Sequence, residues 1–145
     1  MYAQIVALIL AIAPQYNLPP KFVLAIALIE TGGTLNPYSK HYNKETDTWD
    51  LGVMQNNTSW YKDKNWTDPE SNIRAGCAYI VRLVEHPDTT TWWSVALAYN
   101  AGIGRLMSPP TRSVMYACMV IDTWCELGDA REVVLPNYMV KRRAW

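Results

Sequence analysis

The chain has 145 residues, and its 13 Lys and Arg balance 13 Asp and Glu. Half of the residues are hydrophobic, and the aromatic set is lopsided, with seven Trp and nine Tyr against one Phe. This length suits one domain, residues 1–145, with its own core, and the zero net charge excludes an electrostatic nucleic-acid binder.

Ile5 to Ala13 is apolar, with Ile5, Leu8, Ile9 and Ile12 on one helical face. The stretch is similar to a signal-peptide core, but no basic residue precedes it and no clear cleavage site follows. It is also too short to span a membrane. It therefore reads as the first helix, from about Ala3 to Tyr16, and no secretion signal or membrane insertion is expected.

Pro19 and Pro20 open a second helix, since proline suits the first helical turn. Phe22 to Ile29 is apolar nearly all round, which predicts a central buried helix. Gly32 or Gly33 stops it. Asn36 to Trp49 is polar and reads as a loop or short hairpin, and Gly52 to Tyr61 is mixed. Asp68 and Pro69 start a third helix, with Ile73, Cys77, Ile80, Val81 and Val84 at helical spacing. Thr90 or Thr91 starts a fourth, carrying Trp92, Val95, Ala96 and Tyr99 on one face and ending at Gly102. A turn at Ser108 to Pro110 leads to a fifth helix, Thr111 to Leu127, closed by Gly128. The last residues are ambiguous, and Lys141, Arg142 and Arg143 read as a solvated tail. The expected class is mainly α.

Cys77, Cys118 and Cys125 form no paired metal or redox motif and are expected to be core thiols. On one helix, Cys118 and Cys125 would stand roughly 10 Å apart, too far to bond to each other. Asn43, Glu45 and Asp47 alternate like calcium ligands, but the required glycine and closing glutamate are missing. His41 and His86 have no ligand spacing. No metal or cofactor is expected.

Glu30 breaks two local rules. It closes a segment made for burial, and a buried carboxylate resists ionising. It also stands at a helix C-terminus, whose partial negative charge disfavours another anion. Both effects would favour a protonated acid near neutral pH, as a general acid requires. An exposed Glu30 would carry no such meaning.

The neighbourhood decides between these readings. Ile29-Glu30-Thr31-Gly32-Gly33-Thr34-Leu35-Asn36-Pro37 resembles the I-x-x-E-S-G-F-N-P motif of the soluble lytic transglycosylases, lysozyme-like enzymes that cut peptidoglycan. Gly52-Val53-Met54-Gln55 is similar to their G-L-M-Q. Asn72-Ile73-Arg74-Ala75-Gly76-Cys77-Ala78-Tyr79-Ile80 resembles N-I-x-x-G-x-x-Y-L, and Ala98 to Gly104 resembles A-Y-N-A-G-x-G. Thr111-Arg112 with Tyr116 and Val120 loosely echoes T-R-x-Y-V. Thr31 departs from the usual serine, and Asn56-Asn57 from the usual apolar residue and its neighbour. The longer segment from Glu30 to Gly52 is similar to that of small members from secretion systems and phages, and animal-type lysozymes share a similar stretch.

The resemblance implies a lysozyme-like domain in which Glu30 is the catalytic acid, then base. It would cleave the β-1,4 bond between N-acetylmuramic acid and N-acetylglucosamine and leave 1,6-anhydro ends. Thr31, Asp50, Met54, Gln55, Tyr99, Asn100 and Tyr116 are the implied substrate-site residues. Gln55 can give and take hydrogen bonds with sugar amides and hydroxyls. Asp50 is the second carboxylate of a hydrolytic muramidase, a loop-stabilising hydrogen-bond acceptor or a solvated side chain, and its Asp-x-Gly context favours a turn cap. Trp49, Trp60 and Trp66 are expected in loops, where packing or sugar stacking would suit them. A glycan-binding or virion-structural module without turnover is the reading of another class. Peptidoglycan strands are the expected partner of a monomer acting in the periplasm or cell wall. Delivery by a phage, a holin or another export route, or loss of a signal by trimming, would fit.

Overall fold

Two prolines decide how the first two helices are divided. The computed structural model describes residues 1–128, so the basic tail at Lys141 to Arg143 lies outside the described residues. Helix α1, Tyr2–Ile12, buries Ile5, Ile9 and Ile12. The helix expected to reach Tyr16 instead tightens into a 3-10 turn at Ala13–Tyr16. Pro14 has no N–H for the α ladder, and its ring crowds the carbonyl one turn back. Pro20 then begins α2, Pro20–Glu30.

Phe22 to Ala27 are all buried, as the apolar run predicts. Full burial of a side chain such as Phe22 or Ile26 stabilises the fold by about 1.5–3 kcal/mol. The helix ends in a Schellman turn. The Gly33 N–H reaches Leu28 O at 2.7 Å and the Gly32 N–H reaches Ile29 O at 3.3 Å. Gly32 has a φ of 59°, a left-handed conformation that glycine adopts without strain.

The polar stretch after α2 is a hairpin, and a third strand not expected from sequence joins it. Strands β1 (Lys40–Asn43), β2 (Thr48–Leu51) and β3 (Asn56–Asn57) pair antiparallel in that order. The register sets His41 opposite Asp50, Tyr42 opposite Trp49, and Asp50 opposite Asn57. Trp49 therefore lies on a strand rather than in a loop. Its ring sits 5.0 Å from that of Tyr42, with Lys40 Nζ 5.4 Å from its centroid.

Helix α3, Pro69–Val84, starts as expected, with Asp68 Oδ2 accepting the Ser71 N–H at 2.9 Å. Helix α4, Trp92–Ala101, opens on a reciprocal capping box between Thr91 and Ser94. Helix α5, Thr111–Glu126, buries Ser113, Tyr116, Ala117, Val120 and Trp124. The mainly helical class expected from sequence is the observed one. Among the described residues, no helix is long and apolar enough to cross a membrane.

The backbone divides into two compact units, Met1–Ala78 and the residues from Tyr79 onward. The first holds α1, α2, the sheet and the start of α3. In the second, α4 packs on α5, and Trp92 meets Trp124 edge-on at 6.0 Å.

The cysteines correct one expectation. Cys77 is buried, but Cys118 and Cys125 are exposed. They lie off the stripe of α5 that carries Tyr116, Ala117, Val120 and Trp124.

Candidate active site

Glu30 is the last residue of α2 and is half-buried. The buried run places it, and the turn at Gly32 and Gly33 leads the chain away from it. Thr31, next in sequence, is buried and turned into the protein. Its hydroxyl donates to Ala27 O at 2.7 Å and accepts the Leu35 N–H at 2.9 Å. The hydroxyl that replaces the family's serine thus pins the loop after Glu30.

That loop is tied to the sheet through one carbonyl. Ser39 O accepts the Gly52 N–H at 2.8 Å and Gln55 Nε2 at 3.1 Å. Gln55 Nε2 also donates to Gly52 O at 2.7 Å. Both neighbours are carbonyls, so the amide nitrogen must face them. Among the described residues, the Gln55 Oε1 accepts no hydrogen bond. Gln55 itself has a φ of 47°, unusual for a residue with a side chain. Met54 beside it is fully buried in the core.

Asp50 sits on β2 with both carboxylate oxygens engaged. Oδ2 accepts Asn43 Nδ2 at 2.6 Å and Oδ1 accepts Asn57 Nδ2 at 2.7 Å. It bridges the three strands rather than capping a turn. The same Asn57 amide also donates to Thr48 Oγ1 at 2.9 Å. Asn57, a departure from the usual pattern, is thus part of what holds Asp50. Among the described residues, no cluster of His, Cys, Asp and Glu could hold a metal ion.

The other candidates lie in the second unit. Tyr99 stands in the last turn of α4, half-buried, 5.5 Å from the ring of Tyr79. Burial pushes the Tyr79 phenol up, and Arg82 pulls it partly back. Asn100 Oδ1 accepts the hydroxyl of buried Ser113 at 2.7 Å, tying the end of α4 to the start of α5. Tyr116 is buried on α5. Trp60 and Trp66 are half-buried in loops.

One residue had no role in the sequence reading. Asn72 belongs to a quoted motif, yet nothing local marks its side chain, because its partners lie well over a dozen residues away.

A family model described as the transglycosylase SLT domain matches residues 7–113. That span runs from within α1 to the start of α5 and includes Glu30, Asp50, Gln55, Asn72, Tyr99 and Asn100, but not Tyr116. No curated protein and no solved structure matches the chain.

Proposed function

The chain belongs to the transglycosylase SLT domain family, and on that premise we propose that it cuts peptidoglycan between N-acetylmuramic acid and N-acetylglucosamine without consuming water. Members of this family are lytic transglycosylases that cleave glycosidic bonds of peptidoglycan in the periplasm or cell wall. In this reading Glu30 gives its proton to the glycosidic oxygen as the bond from that oxygen to C1 breaks. The carboxylate then takes the proton from the C6 hydroxyl of the muramic acid. That oxygen bonds to C1 and closes the anhydro ring, and Glu30 is protonated again.

The observation that carries the proposal is the place of Glu30, the last residue of a buried helix and inside the residues that the family model matches. Asp50 accepts an amide N–H on each oxygen, which suits a role in holding the sheet. A retaining hydrolase needs a second carboxylate facing the sugar. The transglycosylase reaction needs one. Gln55 offers Oε1 to a sugar amide or hydroxyl, and Thr31 fixes the turn beside the acid. Tyr99 and Tyr116 supply hydroxyls, and Asn100 holds the end of α4. Residues 1–145 act as one lysozyme-like domain and as a monomer.

Mass spectrometry of fragments released from purified peptidoglycan tests this. Wild type should give anhydro-muramyl ends, and Glu30→Gln should lower their release by about 10²–10⁴-fold, the usual worth of a general acid. Asp50→Asn should keep the anhydro product. Its single acceptor can face Asn57, and Asn43 can turn its amide to accept from the new nitrogen. Reducing ends heavier by one water, lost in Asp50→Asn, would establish a muramidase instead. Binding without any product would establish a module without turnover.

A further inference from the structure

We infer that Asn72 is a positioning residue that sets the turn presenting Gln55; as a statement about turnover, this rests on the lytic transglycosylase reading above. Asn72 is fully buried in the first turn of α3. Its Nδ2 donates to Leu51 O at 2.9 Å, and its Oδ1 accepts the Met54 N–H at 2.9 Å. Its own carbonyl accepts Asn56 Nδ2 at 2.8 Å. One residue thereby holds the segment from Leu51 to Asn56 at its start, middle and end.

This segment would not keep its shape unaided. Gly52 and Gln55 both have positive φ, 77° and 47°. Gly52 is also where the asparagine comes closest, since a Cβ there would lie 2.4 Å from Asn72 Nδ2. Glycine at 52 and asparagine at 72 are therefore two halves of one device. The Asn72 grip on Met54 fixes the residue before Gln55, and Gln55 Nε2 then closes onto Gly52 O and Ser39 O. With that nitrogen committed, the direction of Oε1 follows from the backbone. Only an amide supplies a donor and an acceptor at this reach. An aspartate sets an oxygen against Leu51 O, and the repulsion between them moves the carboxylate off the Met54 N–H.

The test is Asn72→Asp, nearly isosteric, measured alone and with Gln55→Ala. Cooperative urea unfolding confirms that each variant is folded. Asn72→Asp is expected to lower the turnover number for anhydro-product release about tenfold or more and to speed hydrogen exchange at the Met54 N–H by at least tenfold. In the Gln55→Ala background the same change should alter turnover less than twofold, because its route of action is already gone. An equal loss in both backgrounds, or unchanged exchange, would overturn the inference. If wild type released no anhydro product, the functional reading would fall. The positioning of Gln55 would then be decided by the exchange rate and by the side-chain amide resonances of Gln55, which must shift in Asn72→Asp.

Discussion

Gly76→Ala should destabilise the protein although it improves the intrinsic helix propensity of α3. Alanine in place of a mid-helix glycine normally gains about 1 kcal/mol. Here the added Cβ would lie 2.7 Å from both Cβ and Cγ of Met54, and 3.0 Å from its Cε. Carbon atoms in contact normally sit about 3.5–4.0 Å apart. Met54 Cε can swing away, but its Cβ moves only with the backbone. That backbone is held by the bond from the Met54 N–H to Asn72 Oδ1. Overpacking costs about 1–3 kcal/mol, and a contact with an anchored Cβ belongs at the upper end. The net expectation is a loss of about 2 kcal/mol, seen as a lower urea midpoint at unchanged slope. Adding Met54→Ala should not restore stability, because the Cβ stays. Gly104→Ala is the control: a Cβ there meets nothing within 4 Å, and it should be neutral or slightly stabilising. If Gly76→Ala proved as stable as wild type, the close approach of α3 to the Met54 turn would be wrong.

Thr31→Ala should cost about 1–3 kcal/mol more than Thr31→Ser, because only alanine strands the Leu35 N–H in a buried site; equal urea midpoints would refute this. A thiol reagent should modify Cys118 and Cys125 in the folded protein and reach Cys77 only on unfolding. Burial pushes the Cys77 thiol up to about 12, with Arg74 pulling slightly back. The unfolded chain therefore releases this proton first, so the stability it confers is complete below about pH 9 and lost as pH rises toward 12. Cys77→Ala should flatten the alkaline fall of stability by at most about 1.4 kcal/mol per pH unit, and an identical alkaline slope would count against this burial.

Much of the fold was legible because helix signals act over one turn. Proline at the start of α2, Asp68 before α3, Thr91 before α4 and the glycines at 32, 102 and 128 all work on neighbours within about four residues. The break at Ala13 was legible in principle too, from Pro14. The surface of α5 was not: Met115, Cys118 and Met119 are apolar or sulfur-bearing yet lie off the buried stripe, with Met115 61% exposed. Residue type alone does not say which of several apolar faces meets a neighbour.

The sequence by itself determined the helical plan, the buried helix that ends in Glu30 and the order of motifs that mark the family. These rest on local capping, on periodicity and on residue identity. Tertiary structure alone decided what the polar residues do. The Asp-x-Gly context of Asp50 pointed to a turn cap, whereas the fold sets Asn43 and Asn57 from the two neighbouring strands on its oxygens. Asn72 gains meaning only because the fold carries it to Leu51 and Met54, 21 and 18 residues away. A hydrogen bond needs its partners within about 3 Å, and no pattern along the chain reports a distance that folding creates.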